Sequence, residues 1–289
     1  MIKLYDNKNR LISHDLNNFP DGQIQFKILH KDAVRVETIK ASIPDSKSVD
    51  ELLQAISVLK KYNLTNVKIN YLYGARSDKD IADDYDVANV ANIIIKQIEA
   101  VSDITIILNN NDHTNCKKIK SPFVSVLAPH CQLDYTIDSN YSLNWVMFNE
   151  GVIKNNYDLI IFPDESALTR FSFLADVMNY VVCEKHRDQV TGKIISHKIP
   201  ELSKDCGKVI ILDDLCDGGA SYRSLKTSIP ENIVADLFVF HGVFSNNALL
   251  KMLDIYNKVI VTNSLPTPET QKQLLTLEDQ ERVQILNVW

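Results

Sequence analysis

The richest chemistry in this chain lies in Lys208–Leu225, KVIILDDLCDGGASYRSL. Adjacent carboxylates, Asp213 and Asp214, follow a short apolar run and precede a third, Asp217. The only Gly-Gly of the protein, Gly218–Gly219, then leads into Ala220 and Ser221, where a helix is expected to begin. Glycine loops and helix N-termini offer backbone N–H groups to phosphate, and carboxylates beside them suit ribose hydroxyls or a metal. The combination points to a phosphorylated sugar. The plainer alternative is a strand–turn–helix in which Asp caps the helix.

Other segments add charge in the same manner. YGARSDKD (Tyr73–Asp80), NNNDHTN (Asn109–Asn115) and PDES (Pro163–Ser166) each follow a short apolar run, as DDLCDGGAS does. In open parallel sheets the carboxyl edge of the strands is where ligands bind. Loops there bearing Arg, Lys, Asp and His describe a polyanion site with metal.

The elements that must carry these loops alternate between strand and helix, the pattern of parallel sheets covered on both faces. Strands are expected at Asn66–Leu72, Ile104–Leu108, Leu159–Phe162, Val209–Leu212, Leu237–Phe240 and Val259–Thr262. A helix is expected over Val49–Tyr62, where Val49, Leu52, Leu53, Ile56 and Leu59 keep helical spacing. Another is expected over Tyr85–Ala100, with Val87, Val90, Ala91 and Ile94 on one face. The polar, aromatic stretch Asp134–Asn149 lacks periodicity and is the candidate domain junction.

At 289 residues the chain suits two domains, expected at 1–138 and 139–289, with the last residues packing back on the first. Its 45% hydrophobic and 24% charged content is that of a globular protein. A net charge of -6 argues against nucleic-acid binding, which needs a basic surface. No apolar run is long enough to span a bilayer, and MIKLYDNKNR lacks a signal-peptide core. Five scattered cysteines without a CxxC fit reduced thiols in the cytoplasm.

Taken together, FPDGQ (Phe19–Gln23), YGARSDKD, PDESALTR, EKHR (Glu184–Arg187), DDLCDGGAS, FHGVFS (Phe240–Ser245) and VTNSLPTPE (Val261–Glu269) resemble the ribose-phosphate diphosphokinases in order and approximate spacing. The resemblance covers nearly the whole chain. It implies an α/β protein of two phosphoribosyltransferase-like domains, each a parallel sheet flanked by helices. The implied reaction moves the β,γ-diphosphate of ATP to the anomeric hydroxyl of ribose 5-phosphate, with Mg²⁺, in nucleotide biosynthesis.

By the same resemblance, Lys185 and Arg187 would be the catalytic pair on a mobile loop through about His186–His197. Arg76, Ser77, Asp78 and Lys79 would meet ATP phosphates, although Ser77 stands where the family usually has Gln. Phe19, Asp21 and Gln23 match a segment that reaches across a subunit interface to hold adenine, which implies a homo-oligomer. Gln23 replaces the usual Glu there. Asp164 matches one metal-side residue plainly. His113 matches the other if a two-residue insertion is allowed; otherwise Asn110 does.

Asp213, Asp214, Asp217, Gly218, Gly219, Ala220 and Ser221 match the ribose-phosphate loop, usually Asp-Thr-Gly-Gly-Thr after the paired acids. Gly218 in place of Thr removes a donor for a terminal phosphate and leaves room for a 5′-substituent. ADP-ribose, rebuilt in NAD salvage, is therefore an alternative acceptor. A phosphoribosyltransferase would share the acidic glycine loop but has no need of FPDGQ, YGAR or EKHR. A non-catalytic regulatory relative would account for the altered His motif and Gln23, but not for the retained Lys185, Arg187, Asp164, Asp213 and Asp214.

Overall fold

The computed structural model describes residues 1–72, 81–82, 85–86, 90–102, 104–108, 124–126, 156–175, 178–187, 194–203, 205–265, 273 and 280–287. The chain divides into two units, Met1–Ala128 and Pro129–Trp289. The candidate junction at 134–149 lies outside the described residues.

The first unit is built on strands β1 (Ile2–Tyr5), β2 (Leu11–Ile12), β5 (Thr38–Ile43), β6 (Asn66–Leu72), β9 (Thr105–Leu108) and β10 (Val124–Val126). They lie in the order β10-β9-β6-β5-β1-β2. From β5 through β10 the sheet is parallel, as expected; β1 and β2 add an antiparallel edge. An edge of that kind is common on otherwise parallel sheets. A separate hairpin joins β3 (Asp15–Asn18) to β4 (Ile24–Lys27), and a two-residue pairing joins β7 (Ile81–Ala82) to β8 (Tyr85–Asp86).

Helices of this unit are α1 (His30–Ala33), α2 (Ser46–Leu59) and α3 (Val90–Val101). Asp45 starts α2 by accepting the Ser48 N–H at 2.8 Å, an N-cap that satisfies an otherwise orphaned donor. Val49, Leu52, Ala55, Ile56 and Leu59 then bury one face of α2. The expected helix from Tyr85 begins later, because Tyr85 and Asp86 pair with Ile81 and Ala82 as strands. Among its described side chains Ile94, Ile95 and Ile98 are buried; those of Val87, Val90 and Ala91 lie outside the described set.

The second unit holds β11 (Leu159–Phe162), β12 (Tyr180–Val182), β13 (Glu184–Arg187), β14 (Ile194–Lys198), β15 (Lys208–Cys216), β16 (Val234–Gly242), β17 (Val259–Thr262) and β18 (Val283–Leu286). Its helices are α4 (Glu165–Arg170), α5 (Ser172–Ala175), α6 (Ala220–Lys226) and α7 (Ala248–Leu253). Six strands form a wholly parallel sheet in the order β12-β11-β15-β16-β17-β18. Both faces are covered. Val209, Ile211, Leu237 and Val239 enter one core, while Ile210, Leu212, Phe238 and Phe240 enter the other. This period-two division explains the unbroken apolar runs in the sequence. The last strand, β18, completes this sheet beside β17.

Strand order matters for function. From β11 the chain passes to β12 on one side, and later to β15 on the other. The crevice beyond the carboxyl ends of β11 and β15 is thus a topological switch point, the customary ligand site of such sheets.

Candidate active site

Around that switch point the second unit gathers the residues singled out from sequence. Strand β15 does not stop at Leu212 but runs through the acid pair to Cys216. It does so because the equally long β16 pairs with it as far as Cys216–Gly242. Asp213 and Asp214 are therefore half-buried strand residues, and the turn begins only at Asp217. Asp213 Oδ1 accepts the Asp214 N–H at 2.8 Å, and its Oδ2 accepts the Tyr222 hydroxyl at 2.9 Å.

Glycine is required at two points. Gly219 starts α6 with φ +73°, in the left-handed region, and a Cβ there would meet Met252 Cε at 2.7 Å. Gly219 offers no side-chain cap, so the first turn of α6 starts with its donors uncapped from that position. A Cβ on Gly242 would lie 2.2 Å from Phe244 Cε2. Its absence lets 243–244 turn back, and the N–H groups of Val243 and Phe244 both reach Cys216 O, at 2.9 and 3.0 Å. The Ser245 hydroxyl then donates to Asp217 Oδ1. The FHGVFS segment thereby braces the acidic loop from beneath. By contrast, a Cβ on Gly218 would meet nothing nearer than Ser245 Oγ, at 3.9 Å.

Asp164 stands just beyond β11, next to β15. Its Oδ1 caps α4 by accepting the Ala167 N–H at 3.0 Å, so part of this carboxylate does structural work. Lys185 and Arg187 belong to β13, which starts one residue past β12 and forms an antiparallel hairpin with β14. The expected loop is thus strand on both flanks; residues 188–193 lie outside the described set. Lys185 is the cross-strand partner of His197. His197 is buried, its Nδ1 is 3.3 Å from Ser224 Oγ of α6, and its carbonyl accepts the Ser228 hydroxyl at 2.8 Å. Helix α6 therefore supports both the acidic loop and the basic hairpin.

In the first unit, FPDGQ forms the tip of the β3–β4 hairpin. Asp21 Oδ1 accepts the Gln23 N–H at 3.1 Å, Gly22 takes φ +89°, and Phe19 is 44% exposed. Ile24 and Phe26 are buried, and the Gln54 amide of α2 serves β4 as a substitute strand, accepting from Phe26 N at 2.9 Å and donating to Ile24 O at 3.0 Å. Arg76, Ser77, Asp78, Lys79, Asn110 and His113 lie outside the described residues. A cavity of about 580 Å³ lined by Asp6, Arg10, Arg35 and Glu37 opens at the amino ends of β5 and β6, away from the carboxyl edge. Both arginines there already reach the Asp6 carboxylate, at 2.7 and 3.5 Å.

Electrostatics at the second-unit edge favour neutral forms around the acids. Burial, reinforced by Asp213 and Asp217, pushes the Cys216 thiol up to about 12. Burial lowers the His241 imidazole to about 4, against an opposing pull from Asp214. His241 Nδ1 lies 2.7 Å from Ser264 Oγ, which is 2.8 Å from Thr262 Oγ1. Sequence reasoning assigned no role to Tyr222, and named His241, Ser245 and Ser264 only within FHGVFS and VTNSLPTPE. Tyr222 and Leu225 are the buried residues of α6, and only the direction of the phenol shows its second contact, with Asp213.

Comparison with known proteins follows the same line. No family model matches the chain. A ribose-phosphate pyrophosphokinase of Sulfolobus acidocaldarius is 23% identical over 94% of this chain and 91% of its own length. That of Pyrococcus abyssi is 20% identical over 89% of this chain and 86% of its own. The crystal structure of phosphoribosylpyrophosphate synthetase from Mycobacterium smegmatis superposes with a TM-score of 0.70 at 16% identity, covering 97% of this chain and 88% of that one. Along most of its length the chain is similar to ribose-phosphate pyrophosphokinases. The α/β fold of two such units is the fold of that synthetase structure. Among the described residues, no group of three or more His, Cys, Asp or Glu is arranged to hold a metal, and no helix is long and apolar enough to cross a membrane.

Proposed function

We propose that this protein is a diphosphotransferase that moves the β,γ-diphosphate of ATP to the anomeric hydroxyl of a ribose phosphate, ribose 5-phosphate first. One observation carries the reading. Asp164, the Lys185 strand and the Asp213–Ser221 loop all lie at the carboxyl edge of one parallel sheet, at or beside its switch point.

In this reading Asp213 and Asp214 receive ribose hydroxyls, and the N–H groups at Gly218–Ser221 receive the 5-phosphate. Lys185 and Arg187 offset charge that grows on the phosphate oxygens as the anomeric oxygen attacks the β-phosphorus. Mg²⁺ usually keeps several waters and takes only one or two protein carboxylates besides substrate phosphates. Asp164, just beyond β11, is the described carboxylate that would hold such an ion. When bound there with ATP, the ion would supply charge neutralisation on the phosphates.

ADP-ribose remains the second acceptor, favoured by one feature: the open space at Gly218. The test combines purified protein, ATP and Mg²⁺ with either acceptor, and phosphorus NMR to detect an anomeric diphosphate. AMP without that signal, or no turnover with both acceptors, refutes the reading.

A further inference from the structure

Tyr222 opens the core face of α6 and is buried with Leu225 in the cluster that also holds Cys216 and Met252. The hydroxyl, however, turns back toward the acids. It lies 2.9 Å from Asp213 Oδ2 and 2.7 Å from Leu215 O. Asp213 Oδ1 is meanwhile held by the Asp214 N–H at 2.8 Å. One carboxylate is thus gripped at both oxygens, from its own strand and from the helix nine residues on.

We propose that Tyr222 is a positioning residue of the acceptor site, fixing the plane of the Asp213 carboxylate that receives ribose hydroxyls. This rests on the diphosphotransferase reading above. Core packing alone does not account for the phenol. Burying a hydroxyl carries a desolvation cost that Phe would avoid at nearly the same volume. The Leu215 carbonyl would satisfy the single O–H by itself, so a carboxylate at 2.9 Å is a second, charged acceptor. Burial and the Asp213 charge both raise the phenol's pKa, so it stays a donor at any working pH. The contact also ties together the two ends of the phosphate loop, so that acid orientation and loop closure are set by one bond.

Tyr222→Phe keeps the ring and deletes that bond. Binding of ribose 5-phosphate and of ADP-ribose is measured calorimetrically with Mg²⁺ and an ATP analogue that cannot transfer its diphosphate, beside initial rates with ATP. The expected result is about a tenfold weaker acceptor, in Kd and KM alike, as loss of one charge-assisted hydrogen bond implies. Turnover stays within about twofold and KM for ATP is unchanged. Unaltered acceptor affinity overturns the positioning role. So does an equal loss for ATP and acceptor, which would mark a general packing defect. A wild-type protein that binds neither acceptor instead removes the functional reading, and this inference with it.

Discussion

Lys185 and Gly218 carry opposite kinds of residue-scale consequence. Lys185 sits on a paired strand whose partner, His197, is buried against α6, so its backbone is anchored. In the proposed reaction its charge matters most in the transition state. Lys185→Ala should therefore lower kcat by about a hundredfold or more while leaving KM for ATP within about threefold. Initial rates over an ATP series decide this; a raised KM with intact kcat would make Lys185 a binding residue. Gly218 is a position where a side chain fits, since a new Cβ meets only Ser245 Oγ at 3.9 Å. Gly218→Thr should restore a phosphate donor and raise kcat/KM for ribose 5-phosphate relative to ADP-ribose, by up to about tenfold. An unmoved ratio would show that this loop does not set acceptor choice. The glycine loop stood out in the sequence because the chain has only eight glycines, and its one adjacent pair follows three aspartates. The Tyr222 hydroxyl did not, because helical spacing reveals which face is buried but not where a polar tip points.

Among elements, β16 and β17 show how a local irregularity serves the edge. Their register slips between Val239 and His241, so Phe240 is an extra residue on β16. The Thr262 hydroxyl donates to Phe240 O at 2.6 Å, replacing a ladder bond that the bulge interrupts. Past the bulge, His241 is fully enclosed and held neutral, with a pKa of about 4 against 6.5 when free. Acid therefore favours the unfolded chain, which takes up the proton first. The stability this site contributes is whole above about pH 6.5 and is lost as pH falls toward about 4. The slope approaches about 1.4 kcal/mol per pH unit within that window. The difference in melting temperature between wild type and His241→Gln, followed from pH 7 to 4, should shrink as the wild type loses this advantage. A constant difference would mean that His241 titrates normally. Asn66–Leu72, Leu159–Phe162 and Val259–Thr262 were legible as strands to the residue, since turn-forming or polar neighbours bound them. The extension of β15 through Asp213 and Asp214 was not, because strand pairing with β16 overrides the poor strand propensity of aspartate.

At the scale of the whole molecule, each unit has its own sheet and its own core. Length and the repeated strand–helix alternation had suggested two domains. The exposed Phe19 at the tip of the β3–β4 hairpin leaves an aromatic ring outside the first unit's core. We expect that ring to complete a nucleotide pocket on a second copy of the chain, which would make the active form a homo-oligomer. Activity per mole should fall on dilution into the range where light scattering reports monomer, and Phe19→Ala should raise KM for ATP by about tenfold or more, as lost base stacking implies. Full specific activity in a monodisperse monomer would refute it.

The burial of Cys216 has a use beyond packing. A thiolate is the species that reacts with alkylating agents, and this thiol sits wholly inside the protein with its ionisation pushed to about 12. It reacts only when the end of β15 breathes, so its alkylation rate is a clock for transient opening of the strand that ends at Cys216 itself. With the other cysteines replaced, that clock should slow when ribose 5-phosphate is added. It would then report occupancy of the loop in a protein that is not turning over at all.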